Sequence, residues 1–81
     1  MEYIARTPEQ LGKVLKSCRQ LRGLTQSAVG AKVGIKQSTI SEIEAHGASA
    51  TIETLYKILS SLGLTLVLRD QAAPATSKRE W

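Results

Sequence analysis

Within six positions, Lys36, Gln37, Ser38 and Ser41 bring together an ammonium, a primary amide and two hydroxyls, and Gln26 adds a second amide ten residues earlier. None of these groups is a general base or an activated nucleophile by type; what they share is the capacity to donate and accept hydrogen bonds. An amide matches the N6/N7 edge of adenine, an ammonium favours the acceptors of guanine, and a serine hydroxyl adapts to either. Taken singly, each is more simply a solvated surface residue. Their joint placement on one tight unit is what points to DNA contact. Catalysis has little to work with, since His46 and Cys18 are the lone histidine and cysteine and no carboxylates cluster. No nucleophile-base pair, metal set or cofactor is expected, and the chain does not read as an enzyme. His46 reads as a solvated loop residue, and Cys18 as a small apolar side chain on a helical stripe.

The unit that must hold the polar set runs from Thr25 to Glu44 as two short helices with Gly34 at the bend, the pattern of a helix-turn-helix. Thr25 caps the first of the two, and the second starts near Lys36 or Gln37 without a good side-chain cap and runs to about Glu44. A longer helix precedes them: Thr7-Pro8-Glu9-Gln10 is a cap, a proline at the first helical position and the reaching-back glutamine of a capping box. Leu11, Val14, Leu15, Cys18 and Leu21 then form its apolar stripe until Gly23. A fourth helix is capped by Thr51, carries Ile52, Leu55, Ile58, Leu59 and Leu62 as its stripe, and stops at Gly63. From Leu64 to Leu68 the period shortens to two, the mark of a strand. A lone strand leaves its backbone groups unpaired, so it is expected to pair with its copy in a second subunit. Residues 1–70 read as one domain, and residues 71–81, QAAPATSKREW, as a disordered tail.

At 81 residues a single core is marginal without a partner, which also favours a dimer. The formal net charge is +4, and from Arg6 to Lys36 seven Lys/Arg face one acid, Glu9, a concentration that suits a polyanion. A single cysteine excludes an internal disulfide framework and fits a reducing cytoplasm. No apolar run reaches membrane-span length, and the N-terminus lacks a signal-peptide core, so export is not expected.

At about 100° per residue, Ile40 and Ile43 of the third helix face the core, while Ser38, Ser41 and Glu42 lie opposite and Gln37 flanks them at the N-terminus. A recognition helix enters the major groove N-terminus first, so Lys36, Gln37, Ser38 and Ser41 are expected at base edges. Gln26, at the start of the preceding helix, is expected to bind a backbone phosphate with the help of free helix amides. Glu42 repels phosphate; it either accepts from a cytosine amino group or runs along the groove into solvent, and the second is the expectation. Glu44 turns inward and needs a cation, for which Arg19 is the expected partner. Trp81 closes the tail with no core to join, and is either idle or an anchor for a partner's pocket.

The run from Leu15 to Gly63, with Arg19, Gly23, Thr25-Gln26, Gly34, Ser38-Thr39-Ile40-Ser41, Ile43-Glu44 and Leu62-Gly63, resembles the Cro/C1-type (Xre-like) helix-turn-helix family of phage and bacterial repressors. Val29 and Gly30 depart from its usual Leu and Ala, and Lys36 replaces a small capping residue, which weakens those helix segments slightly. The resemblance implies an all-α, lambda-repressor-like bundle of four main helices, here with one C-terminal β-strand pairing across a homodimer. The run Gly34-Ile35-Lys36-Gln37, the apolar strand ending in Asp70 and the tail closing on Glu80-Trp81 are similar to the narrower HipB-type antitoxins. That likeness implies a dimeric repressor of a palindromic operator that also binds a HipA-type serine/threonine kinase toxin, with Gln26, Lys36, Gln37, Ser38 and Ser41 on the operator and Trp81 on the toxin. The alternatives are a phage-type or host regulator without a toxin partner, and an interaction module that binds DNA weakly and without salt dependence.

Overall fold

A computed structural model describes residues 2–47 and 50–70 of the chain; the expected tail and Trp81 lie outside the described residues. Four helices are formed, α1 (Pro8–Leu21), α2 (Gln26–Val33), α3 (Gln37–His46) and α4 (Ile52–Ser61). Their starts follow the caps. The hydroxyls of Thr7, Thr25 and Thr51 accept from the amides of Gln10, Ala28 and Thr54, whereas Lys36 precedes α3 with no side-chain cap bond. The capping box closes one residue early, because the Gln10 side chain accepts from the Arg6 amide at 2.6 Å.

The helices end in turns closed by backbone hydrogen bonds. At the bend between α2 and α3, Gly34 adopts φ 73° and the Ile35 amide donates to the Gly30 carbonyl at 2.8 Å, satisfying an end-of-helix acceptor. α3 runs two residues beyond its expected end, to His46, and Gly47 follows at φ 66°.

α3 is the centre of the bundle, packed on α1 and α2, while α2 also packs on α4. Leu15 and Cys18 of α1, Val29 of α2, Ile40 and Ile43 of α3, and Ile58, Leu59 and Leu62 at α4 form the buried core. Burying one such aliphatic side chain contributes about 1.5–3 kcal/mol. Two residues assigned to apolar stripes are exposed instead: Leu21 at 74% and Ile52 at 70%. Each occupies the outermost position of its helix, Leu21 the last of α1 and Ile52 the first of α4.

Residues 64–70 leave α4 without helical or strand structure, and no β-ladder exists among the described residues. The N-terminal segment does approach: Arg69 pairs with Glu2 at 2.7 Å. Tyr3 meets Cys18, and that side-chain hydrogen bond raises the phenol above its ordinary pKa. A strand, however, requires a partner backbone in register, and the single chain supplies none. Leu66, Val67 and Leu68 are left 39%, 69% and 89% exposed.

Close backbone approach explains the glycines inside the bundle. A Cβ on Gly12 would lie 2.6 Å from the carbonyl oxygens of Ile43 and Glu44, and one on Gly30 would lie 2.3 Å from that of Ile35. Gly30 therefore lets the turn close on α2, a gain set against its lower helix propensity. Gly47 and Gly34 share a left-handed backbone but differ in surroundings: a Cβ at Gly47 would collide with the Pro8 carbonyl, whereas nothing lies within 4 Å at Gly34. Gly34→Ala should therefore cost about 1 kcal/mol, the dihedral penalty alone. Gly47→Ala should cost more, because α1 and α3 must also separate. Thermal unfolding of the two variants by circular dichroism should give the larger fall in midpoint for Gly47→Ala; equal falls would show that the α1–α3 contact yields freely.

Candidate nucleic-acid interface

Arg19 of α1 reaches α3 and meets the inward-turned Glu44 with two parallel hydrogen bonds, Nε to Oε2 at 2.6 Å and Nη2 to Oε1 at 3.0 Å. The remaining terminal nitrogen, Nη1, donates to the Leu24 carbonyl at 2.8 Å, so one guanidinium ties α1, α3 and the α1–α2 turn together. Both side chains are buried, at 10% and 6% exposure. The hydrogen bonds to Glu44 push the arginine's pKa above its usual value; burial opposes this, and the carboxylate's charge adds to the rise. No buried polar side-chain atom among the described residues lacks a partner. The expected Arg19–Glu44 pairing is thus found.

Glu44 does more than pair with arginine. Its Oε1 also accepts from Gln26 Nε2 at 3.0 Å, and Gln26 Oε1 in turn accepts from Gln37 Nε2 at 2.5 Å. The order of amide atoms follows from chemistry, because an ionised carboxylate only accepts. Gln26 must offer nitrogen to Glu44 and oxygen to Gln37, and Gln37 must offer nitrogen to Gln26. Gln37 keeps one N–H and its carbonyl oxygen free, the donor and acceptor that a bidentate contact with adenine uses. Gln26 retains one N–H.

The structure brings Gln26 and Gln37 into direct contact, with Lys36 preceding Gln37 in the chain. Lys36, Gln37 and Ser38 are exposed, and Gln26 and Ser41 half-buried. Ser38, Glu42 and Ala45 line the solvent face of α3, as the helical wheel requires. Sequence reasoning missed the coupling of Gln26 to Glu44 and Gln37. The available signal was a count of acceptors: a buried carboxylate with two oxygens has room for more donors than one arginine supplies. Arg6, Lys13, Lys16, Lys32 and Lys36 are exposed and make no ion pair among the described residues. No group of His, Cys, Asp and Glu able to hold a metal occurs among those residues, and no helix there is long and apolar enough to cross a membrane.

Comparison with known proteins gives a consistent picture. The helix-turn-helix family matches residues 15–68. Antitoxin HipB of Escherichia coli (strain K12) is 41% identical over 76 residues, covering 91% of this chain and 86% of HipB. A solved HipB-O4 20mer complex superposes with a TM-score of 0.79 at 41% identity, over 86% of this chain and 99% of that one. A HipA-HipB-O2-O3 complex gives 0.77 at 42% identity, over 88% and 99%.

Removing either partner of the buried pair leaves the other charge stranded. Arg19→Met or Glu44→Leu should therefore each lower stability by about 3–5 kcal/mol. Combining Arg19→Met with Glu44→Leu should recover much of the loss, as measured by urea unfolding. A double variant no more stable than the singles would mean that packing, rather than charge, sets the cost.

Proposed function

Because the chain belongs to the helix-turn-helix family, matched over residues 15–68, we propose that it is a sequence-specific DNA-binding repressor and the antitoxin of a HipA-type kinase toxin, autoregulating its operon. The observation that carries the DNA-binding half is the hydrogen-bonded chain from Arg19 through Glu44 and Gln26 to Gln37. It presents a half-satisfied amide at the exposed start of a helix, with one N–H and the carbonyl oxygen left free. The antitoxin half is supported by the identity with HipB and by the likeness to HipB in a complex with HipA.

In this reading α3 enters the major groove N-terminus first, and Lys36, Gln37, Ser38 and Ser41 address base edges. Gln26 spends its remaining N–H, together with the free amides at the start of α2, on a backbone phosphate. The uncompensated lysines supply the sequence-independent attraction. Residues 64–68 pair with their copy across a two-fold axis, which covers the exposed Leu66 and Leu68 and sets two recognition helices on half-sites about one helical turn apart. Residues 1–70 form the DNA-binding and dimerisation domain. Residues 71–81 carry the toxin contact, with Trp81 as its anchor. The protein acts in the cytoplasm by binding rather than by catalysis.

Three experiments test this. In gel shifts across a salt series, affinity should fall steeply as salt displaces phosphate contacts. Gln37→Ala should cost about 1–3 kcal/mol on the operator and relax one base preference; an unchanged preference removes Gln37 from the reading set. Deleting residues 71–81 should abolish binding to the kinase while leaving operator affinity nearly intact. A truncated chain that still bound the kinase would refute the role of Trp81.

A further inference from the structure

We infer that Glu42 is a specificity determinant of the DNA-reading face, selecting cytosine at one base pair of each half-site; this rests on the DNA-binding reading above. Three observations converge on it. Between Gln37 and His46, the exposed residues of α3 are Ser38, Glu42 and Ala45. Two are short, so Glu42 is the one long side chain on the exposed face of α3 between Gln37 and His46. Its carboxylate forms no hydrogen bond or ion pair with any described residue, whereas Glu2, Glu44 and Glu53 each pair with a cation and the other unpaired glutamate, Glu9, sits in the first turn of α1. It also lies past the first turn of α3, where an acid would gain from the helix dipole. A solvated structural role therefore brings Glu42 no stabilising contact, and near phosphates it is repelled.

At the floor of the groove the balance changes. The carboxylate only accepts, so guanine, with O6 and N7, and thymine, with O4 and a methyl, offer it no donor. Adenine offers N6–H beside the N7 acceptor, which repels the second carboxylate oxygen. Cytosine presents the N4 amino group with no acceptor beside it. Glu42 thus rewards one base and penalises the other three, and does so without adding phosphate affinity. Its contribution differs in kind from that of Lys36, whose charge favours any duplex.

The test is selection from a pool of duplexes with a randomised centre by the full chain, Glu42→Gln and Glu42→Ala. Thermal melting accompanies it to establish that all three proteins fold alike. The parent chain should enrich cytosine at one position of each half-site. Glu42→Gln should move that position towards adenine, whose N6/N7 edge suits an amide, and Glu42→Ala should lose the preference, with the other positions unchanged in both. On single duplexes, replacing that cytosine should weaken the parent about tenfold and the alanine variant hardly at all. An identical motif for all three proteins, or a uniform gain in affinity on Glu42→Ala, would overturn the inference. A parent chain that enriches no motif would instead overturn the DNA-binding reading, and this one with it.

Discussion

The buried ion pair between Arg19 and Glu44 is the constraint to which the rest of the site is referred. Two charges taken out of water incur a desolvation cost that a single contact does not offset. Here the cost is met by geometry: two parallel hydrogen bonds join the pair, Arg19 spends its other terminal nitrogen on Leu24, and Glu44 accepts a further bond from Gln26. Such a pair is a weak source of net stability, and breaking it is costly because the charge left behind is buried. In this arrangement of α1 and α3 the buried donors and acceptors of the pair are all met, and a partly satisfied pair would be costly.

That arrangement reaches the surface through amide chemistry. Because Glu44 can only accept, it dictates which end of Gln26 faces inward, and Gln26 dictates which end of Gln37 faces it. The free atoms of Gln37 are thereby oriented by a residue in the core. Backbone contacts make the platform firm, since Gly12 lets α1 approach the end of α3 and Gly30 lets the bend close against α2. A helix seated by backbone atoms on both sides has little freedom to pivot.

The C-terminal part of the described chain shows the opposite condition. Eight buried apolar residues make a small core among the described residues, whereas Val67 and Leu68 stand well exposed. Apolar exposure next to unpaired backbone is a combination that protein surfaces seldom leave uncovered. The bundle thus joins a tightly hydrogen-bonded helical unit to a segment, residues 64–70, that forms neither helix nor strand.

Much was legible in the order of residues. Threonine caps, glycine stops and apolar stripes are local signals, and they placed all four helices. The wheel of α3 turned Glu44 inward and Ser38 outward, and simple charge arithmetic then picked Arg19. What the order could not express is the angle at which helices meet. The hydrogen bond between Gln26 and Gln37 joins side chains on two helices and exists only because the Gly34 bend sets those helices at one particular angle. The exposure of Leu21 and Ile52 likewise depends on where neighbouring elements end, which periodicity within one helix does not contain. The alternating stretch from Leu64 to Leu68 has the period of a strand, and the described chain forms none, because alternation records a side-chain preference whereas a strand is made by a second backbone. Local sequence determined which elements form and which faces they turn inward; only the tertiary structure decided which polar groups meet, since that is a matter of distances between residues far apart in the chain.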